Sequence, residues 1–195
     1  MQIAIFPLRI NLLPDGVLPL RIFEPRYVRM VREASRRGMG LCLLGKQQEG
    51  GFSPLMTIGT LIEIIDFDQL EDGMLGITVR GTERFKINSL SVEEDGLLSA
   101  DVDLLPDWHH APIQPDQKVL VEKLGELFEE HPHYAAYYPA PKWDDACWVV
   151  QRWLEVIPID AEEKLPLMAS NDYLEAMQFL LNSIDEEAVK EGIRH

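Results

Sequence analysis

Residues 6–31 read FPLRINLLPDGVLPLRIFEPRYVRMV, and the rest of the chain is read outward from them. The stretch opens on a strand-like apolar start and turns at Pro14-Asp15-Gly16, residue types that set or tolerate turn geometry. Then comes Leu18-Pro19-Leu20-Arg21-Ile22-Phe23-Glu24-Pro25-Arg26-Tyr27. Proline fixes its own φ, removes a backbone donor and pushes the preceding residue toward extended geometry. Leu18 and Glu24 are therefore expected to be extended. Leu18 to Phe23 can be neither a plain helix nor an uninterrupted central strand. Pro25 suits the first position of a helix, where a missing N–H costs nothing. Apolar residues recur at Tyr27, Met30, Val31 and Ala34, one helical face, with Arg29, Arg32 and Arg36 on the wet side and Gly38 as the stop. The local unit is a rigid extended segment feeding a short basic helix. On the residues alone it reads first as a core segment that specifies the fold.

Around this unit, residues 1–105 read mostly as strands. Gln2 to Phe6 begins one, and Leu41 to Leu44 is a short apolar run suited to a buried strand. Met56 to Phe67 alternates, with Leu61, Glu63, Ile65 and Phe67 on one face and Ile62, Ile64 and Asp66 on the other. Asp72-Gly73 and Asp95-Gly96 are hairpin signals. The returning strands are Met74 to Val79 and Leu97 to Leu104, with Arg84 to Leu90 between them. Short strands at regular spacing predict a small barrel or sandwich, with the Pro25–Arg37 helix packed against it.

Residues 106–114, PDWHHAPIQ, read as a linker, and beyond them the pattern turns helical. Pro115 opens a helix carrying Leu120, Leu124, Leu127 and Phe128, and His131-Pro132 ends it. Residues 133–142, HYAAYYPAPK, are irregular. Asp144 or Asp145 caps a helix through Ala146, Val149, Val150, Trp153, Leu154 and Ile157, closed by Pro158. Asp160 begins a capping box, and Pro166 keeps that helix short or bent. Ser170 is expected to cap a last helix bearing Leu174, Met177, Leu181 and Ile184, with Asp185 to His195 fraying. The expected fold is α+β: a β-barrel-like lobe with one helix over 1–105, a linker over 106–114, and a helical bundle over 115–195.

The 195 residues suffice for a real core. A formal net charge of −15 argues against non-specific nucleic-acid binding, which depends on Lys and Arg neutralising phosphates. The charge is uneven, with 11 basic and 15 acidic side chains in residues 1–105 against 7 and 18 in residues 106–195. The acidity of the second part reads first as solubility. No apolar run reaches the roughly 18 residues of a membrane span, and MQIAIFPLR has no secretory signature, so a cytoplasmic protein is expected. Cys42 and Cys147 sit in apolar contexts and fit buried thiols better than a disulfide framework, although a bridge between them stays open.

Candidate chemistry is sparse. Gly40 to Gln47 nearly spells a phosphate-binding loop, but the Ser or Thr that should follow the lysine is Gln47, and residues 41–44 read as a strand. His109, His110, His131 and His133 match no zinc spacing. There is neither a nucleophile elbow nor a His-Glu-x-x-His motif. No catalytic residue, metal ligand or cofactor site is assigned. The better lead is apolar: Pro19, Leu20, Ile22 and Phe23 on the proline-constrained segment, and Tyr134, Tyr137, Tyr138 and Trp143 in the irregular one. Ordinary packing accounts for both sets unless part of one is exposed, in which case it forms a partner-binding patch.

The run LPLRIFEPRYVRMV also resembles the signature that opens the Lon protease N-terminal domain, in the stand-alone form without ATPase or protease modules. The likeness continues through Gly59-Thr60, Asp72-Gly73, Gly81-Thr82-Glu83-Arg84-Phe85, Trp143-Asp144-Asp145-Ala146 and Glu155-Val156-Ile157-Pro158, nearly the whole chain. It implies a PUA-like barrel followed by helices in an acidic, bacterial-type protein. It implies non-enzymatic binding of unfolded or exposed hydrophobic polypeptide segments, with no nucleic acid and no membrane as partner and a weak homo-oligomer left open. Pro19, Leu20, Ile22, Phe23 and Tyr27 are the expected apolar contacts. Arg26 and Arg84 are expected to orient the loop or to pair with Glu24. Two alternatives stand beside it: a small-molecule binder or cryptic enzyme using an inter-lobe pocket, and an adaptor docking on one folded partner.

Overall fold

The computed structural model describes residues 1–51 and 53–192, with residues 185–192 as backbone only. The expectation that residues 185–195 fray lies outside the described side chains. The fold is α+β. The chain divides into two compact units, one formed by Met1–Asp107 with Pro158–Ala169, the other by Trp108–Ile157 with the residues from Ser170 onward.

The first unit runs β1 (Gln2–Leu8), β2 (Val17–Ile22), α1 (Pro25–Arg37), β3 (Met39–Leu44), β4 (Leu55–Gln69), β5 (Leu75–Val92) and β6 (Leu98–Leu104). The strand order is β2-β5-β4-β3-β1-β6, and β5 pairs with β6 as well. The pairing circuit from β5 through β4, β3, β1 and β6 therefore returns to β5. β2 lies outside it, paired along Leu75–Arg80 of β5. That edge position explains how a strand tolerates Pro19, which sits opposite Thr78 and has no N–H to donate.

β5 unites two stretches that read as separate strands. The joint is Gly81, where a Cβ would lie 2.2 Å from the Leu13 carbonyl oxygen, so only glycine lets the Pro14 turn close onto the sheet. The Gly81 N–H donates to Gly16 O, and its carbonyl accepts from Asp15 N–H, each at 2.9 Å.

β4 departs from the expected alternation. Its pairing with β5 shifts between Thr60 and Ile62 and again between Ile64 and Asp66. Ile64 faces Val79 and Phe67 faces Ile77, two β5 residues of one face. Phe67 thus joins the face of Ile62 and Ile64 rather than that of Leu61. A bulge adds one residue to one strand, and an unbroken period of two cannot anticipate it. On that face Ile22, Met30, Met39, Leu41, Ile62, Ile77 and Val79 form a core beneath α1. A second core joins Ile3, Ile5, Cys42, Phe85, Ala100 and Val102. Cys42 and Cys147 are both buried and neither is in a disulfide, and burial pushes the Cys42 thiol up to about 12.

A further helix, α5 (Ala161–Ala169), belongs to this unit rather than to a helical region running unbroken from 115. Ala161 packs with Leu43 and Met56. Lys164 Nζ, itself buried, donates to Asn11 Oδ1 at 3.1 Å. The Asp160 carboxylate pairs with Lys46 Nζ at 2.5 Å, while its backbone carbonyl accepts from Glu163 and Lys164 at the start of the helix.

The second unit holds a 3-10 turn (Pro115–Gln117), α2 (Lys118–Glu130), the one-turn α3 (Pro132–Ala135), α4 (Ala146–Val156) and α6 (Leu174–Gly192). Asp145 caps α4, accepting the Cys147 N–H at 3.0 Å. Its other oxygen meets His110 Nδ1 at 3.0 Å, and that contact raises the His110 pKa. α6 begins at Leu174, four residues beyond the expected Ser170 cap. Asp172 Oδ1 accepts from Leu174 N–H at 2.9 Å, and the Ser170 carbonyl accepts from Trp108 Nε1. Among the described residues no helix is long and apolar enough to cross a membrane.

Candidate functional site

The site grows out of α1 and the strand before it. Glu24 is extended at φ −75° and ψ 135°, Pro25 opens the helix, and Gly38 closes it at φ 78° with its N–H on Ala34 O. Gly38 is in the left-handed φ region, which glycine enters without strain. Tyr27 and Met30 are buried, and Val31 and Ala34 pack against the same core. The Phe6 and Tyr27 rings lie 4.4 Å apart, and burial raises the Tyr27 pKa.

The residues expected to contact a partner divide sharply. Phe23 is 65% exposed and Pro19 is also exposed. Leu20 is half-buried against the core. Ile22 and Tyr27 are buried and serve that core, so neither presents a contact surface. Arg26 pairs with Glu24 at 2.7 Å, donates to Gly96 O at 3.1 Å and lies 4.8 Å above the Tyr27 ring.

Arg84, expected to orient the loop or to pair with Glu24, is instead buried. It is 1% exposed and donates to Met168 O at 2.7 Å and to Pro106 O. It therefore satisfies a carbonyl in the last turn of α5, where the helix has no partner of its own to offer.

Arg29, expected on the wet side of α1, is held as well. It reaches Glu93 at 2.6 Å, Asp95 at 2.8 Å and Glu33 at 3.3 Å, and Arg37 also pairs with Glu93. The Arg37 and Arg29 guanidiniums hold the Glu93 carboxyl below its usual range, and Arg29 does the same to Asp95. This cluster ties α1 to the β5–β6 turn.

Opposite that tie, α1 and β4 leave a groove of about 420 Å³. Val31, Ala34 and Ser35 form one wall, and Met39, Ile62, Glu63, Ile64 and Phe67 complete it. Its polar side chains are Ser35 and Glu63 alone. Phe67 is 60% exposed at its rim, and Ile65 on the neighbouring bulge is exposed too. The groove was not legible in the sequence, because an even alternation put Phe67 and Ile64 on opposite faces. The doublet Ile64-Ile65, apolar on two successive residues beside an exposed end, was the available signal.

The aromatic lead in residues 134–143 resolves into packing. Phe128 lies 5.1–5.6 Å from Tyr134, Tyr138 and Trp143, ring centroid to centroid. Beneath them, buried Arg152 lies 5.4 Å from the Tyr138 and Trp148 rings and bonds Glu155 at 2.8 and 2.9 Å. Tyr137 remains exposed.

The family model described as the ATP-dependent protease La (LON) substrate-binding domain matches residues 2–186. Among curated proteins, Lon protease of Parabacteroides distasonis is 26% identical over 198 residues, covering 95% of this chain and 24% of its own length. Lon protease of Escherichia coli K12 is 23% identical, covering 96% and 25%. The chain thus spans about a quarter of the length of these relatives. Among solved structures, a Lon N-terminal domain protein from Xanthomonas campestris superposes with a TM-score of 0.72 at 28% identity, covering 93% of this chain and 98% of that one. The N-terminal domain of a Mycobacterium avium complex Lon protease gives 0.63 at 13% identity, covering 93% and 97%, a likeness of fold.

Proposed function

The chain belongs to the LON substrate-binding domain family, and from that premise we propose that it is a polypeptide-binding module that performs no bond chemistry of its own. It takes hold of exposed apolar stretches of other, unfolded chains in the cytoplasm. The observation that carries this reading is the exposure of large apolar side chains around α1: Phe23 at its start, and Phe67 and Ile65 beside the groove along its flank. Exposed apolar groups in such concentration mark partner-binding surfaces. Pro19, Leu20 and Phe23 supply direct contact, while Ile22, Tyr27 and Arg26 hold that surface in shape. The barrel-like closure of the sheet gives it a rigid backing.

The test is binding of a permanently unfolded model protein, followed by fluorescence anisotropy. Phe23→Ala and Phe67→Ala together should weaken binding by about ten-fold, since each removes an apolar anchor of the order of 1 kcal/mol or less at an exposed rim. Both side chains are exposed, so the variant should keep its thermal midpoint. Full binding by a normally folded double variant would refute the assignment.

A further inference from the structure

Within that reading, which this inference rests on, the geometry points to the way a client is held: as an added strand along the outer edge of β4, by a segment in which apolar residues alternate with Lys or Arg.

β3 accompanies β4 only as far as the pair Met39–Ile62. Beyond it, among the described residues, Glu63–Gln69 pairs with β5 alone. The other edge of this seven-residue run faces outward, next to the groove that Val31, Ala34 and Ser35 overhang. A strand edge offers alternating N–H and C=O groups to any extended backbone laid beside it. The Phe67 N–H donates to Asp66 Oδ1 at 2.9 Å, a local substitute for the acceptor that an incoming strand would bring.

The two faces of this edge differ in chemistry. Ile62, Ile64 and Phe67 line the groove. On the opposite face Asp66 and Asp68 stand opposite Thr78 and Gly76 of β5, two positions of one parity, and both carboxylates are exposed; Glu63, at the end of the groove, pairs with Arg80 at 3.6 Å. An added strand places successive side chains on opposite faces. Its inward residues enter the groove, and its outward residues lie beside the Asp66 and Asp68 carboxylates. Opposite charges side by side on neighbouring strands attract, and like charges repel. The complementary segment is therefore apolar inward and cationic outward. A second copy of this chain is the wrong occupant, because two β4 edges laid together bring carboxylate against carboxylate.

The experiment uses the full chain and labelled heptapeptides in fluorescence anisotropy. One alternates Val and Lys, a second alternates Val and Glu, and two more are the Val/Lys peptide with N-methylation at alternate amides, one in each frame. The Val/Lys peptide should bind about ten-fold more tightly than Val/Glu, from two favourable cross-strand charge pairs in place of two repulsive ones. N-methylation in one frame should abolish binding, because it removes the edge hydrogen bonds and leaves the side chains intact. Asp66→Lys with Asp68→Lys, both at exposed positions, should reverse the preference between the two peptides. Equal binding of both methylated peptides would overturn strand addition and leave the polypeptide-binding reading standing. So would failure to bind any heptapeptide by protein that still holds an unfolded client. Loss of the unfolded client as well would instead refute the reading beneath it. Concentration-dependent dimerisation in sedimentation that Asp68→Lys strengthens and Val/Lys peptide does not reverse would assign the edge to a second copy and also overturn the inference.

Discussion

Ile22 and Phe23 are neighbours with opposite fates: one is sealed beneath α1, the other stands in solvent. The strand ends between them, so strand alternation places only the first. Arg84 shows the converse. A charged side chain is rarely fully buried without partners, and sequence alone puts it on a surface. Here two carbonyls receive it, from residues 22 and 84 positions away along the chain. No local pattern encodes such a pairing. Replacement by methionine keeps the length of the side chain and strands both carbonyls. Arg84→Met should therefore lower unfolding free energy by about 2–4 kcal/mol, read from urea denaturation. Phe23→Ala, by contrast, should leave the urea midpoint unchanged, as exposed substitutions usually do within about 0.5 kcal/mol.

α1 was legible almost entirely: the proline start, the buried stripe and the glycine stop all stand where the sequence puts them. β4 was legible in extent but not in the facing of its outer end, because the Ile65 bulge depends on pairing with β5. The tie between α1 and the β5–β6 turn lay beyond sequence reading for the same reason, since its acids come from a distant hairpin. It gives an acid sensitivity of definite sign. Glu93 and Asp95 have carboxyls depressed in the folded protein by Arg37 and Arg29. Their contribution is present above the ordinary carboxylate range and is lost as pH falls through the depressed folded values. The thermal midpoint should thus decline as pH drops from about 5 toward 3, and Arg29→Gln should make that decline shallower. Because the cluster is solvent-facing, high salt should weaken the same dependence. At the joint of β5, Gly81→Ala drives a methyl into the Leu13 carbonyl and should cost about 2 kcal/mol or more in the same urea measurement.

The α+β class and the change of regime near residue 106 were readable, because the hydrophobic period shifts there from two toward 3.6. The assignment of residues 158–169 was not. The segment has helical spacing, and nothing local reports that Ala161 and Lys164 pack into the sheet unit. The expected lobe of residues 1–105 is therefore short of its own core. A fragment of residues 1–107 should show a less cooperative thermal transition by circular dichroism than one in which residues 158–169 are rejoined to it by a flexible linker. Equal transitions would mean that α5 adds nothing to the sheet.

The interruption of the sheet unit between residues 107 and 158 also bears on how the nascent chain matures. Translation at about 5–20 residues per second leaves the finished strands waiting some 3–12 seconds for the helix that receives the Arg84 guanidinium. During that interval, on the ribosome, Leu43 and Met56 lack their cover from Ala161 and Leu165. On the proposed function, a protein that holds apolar stretches of other unfolded chains itself passes through a stage in which it needs the same protection.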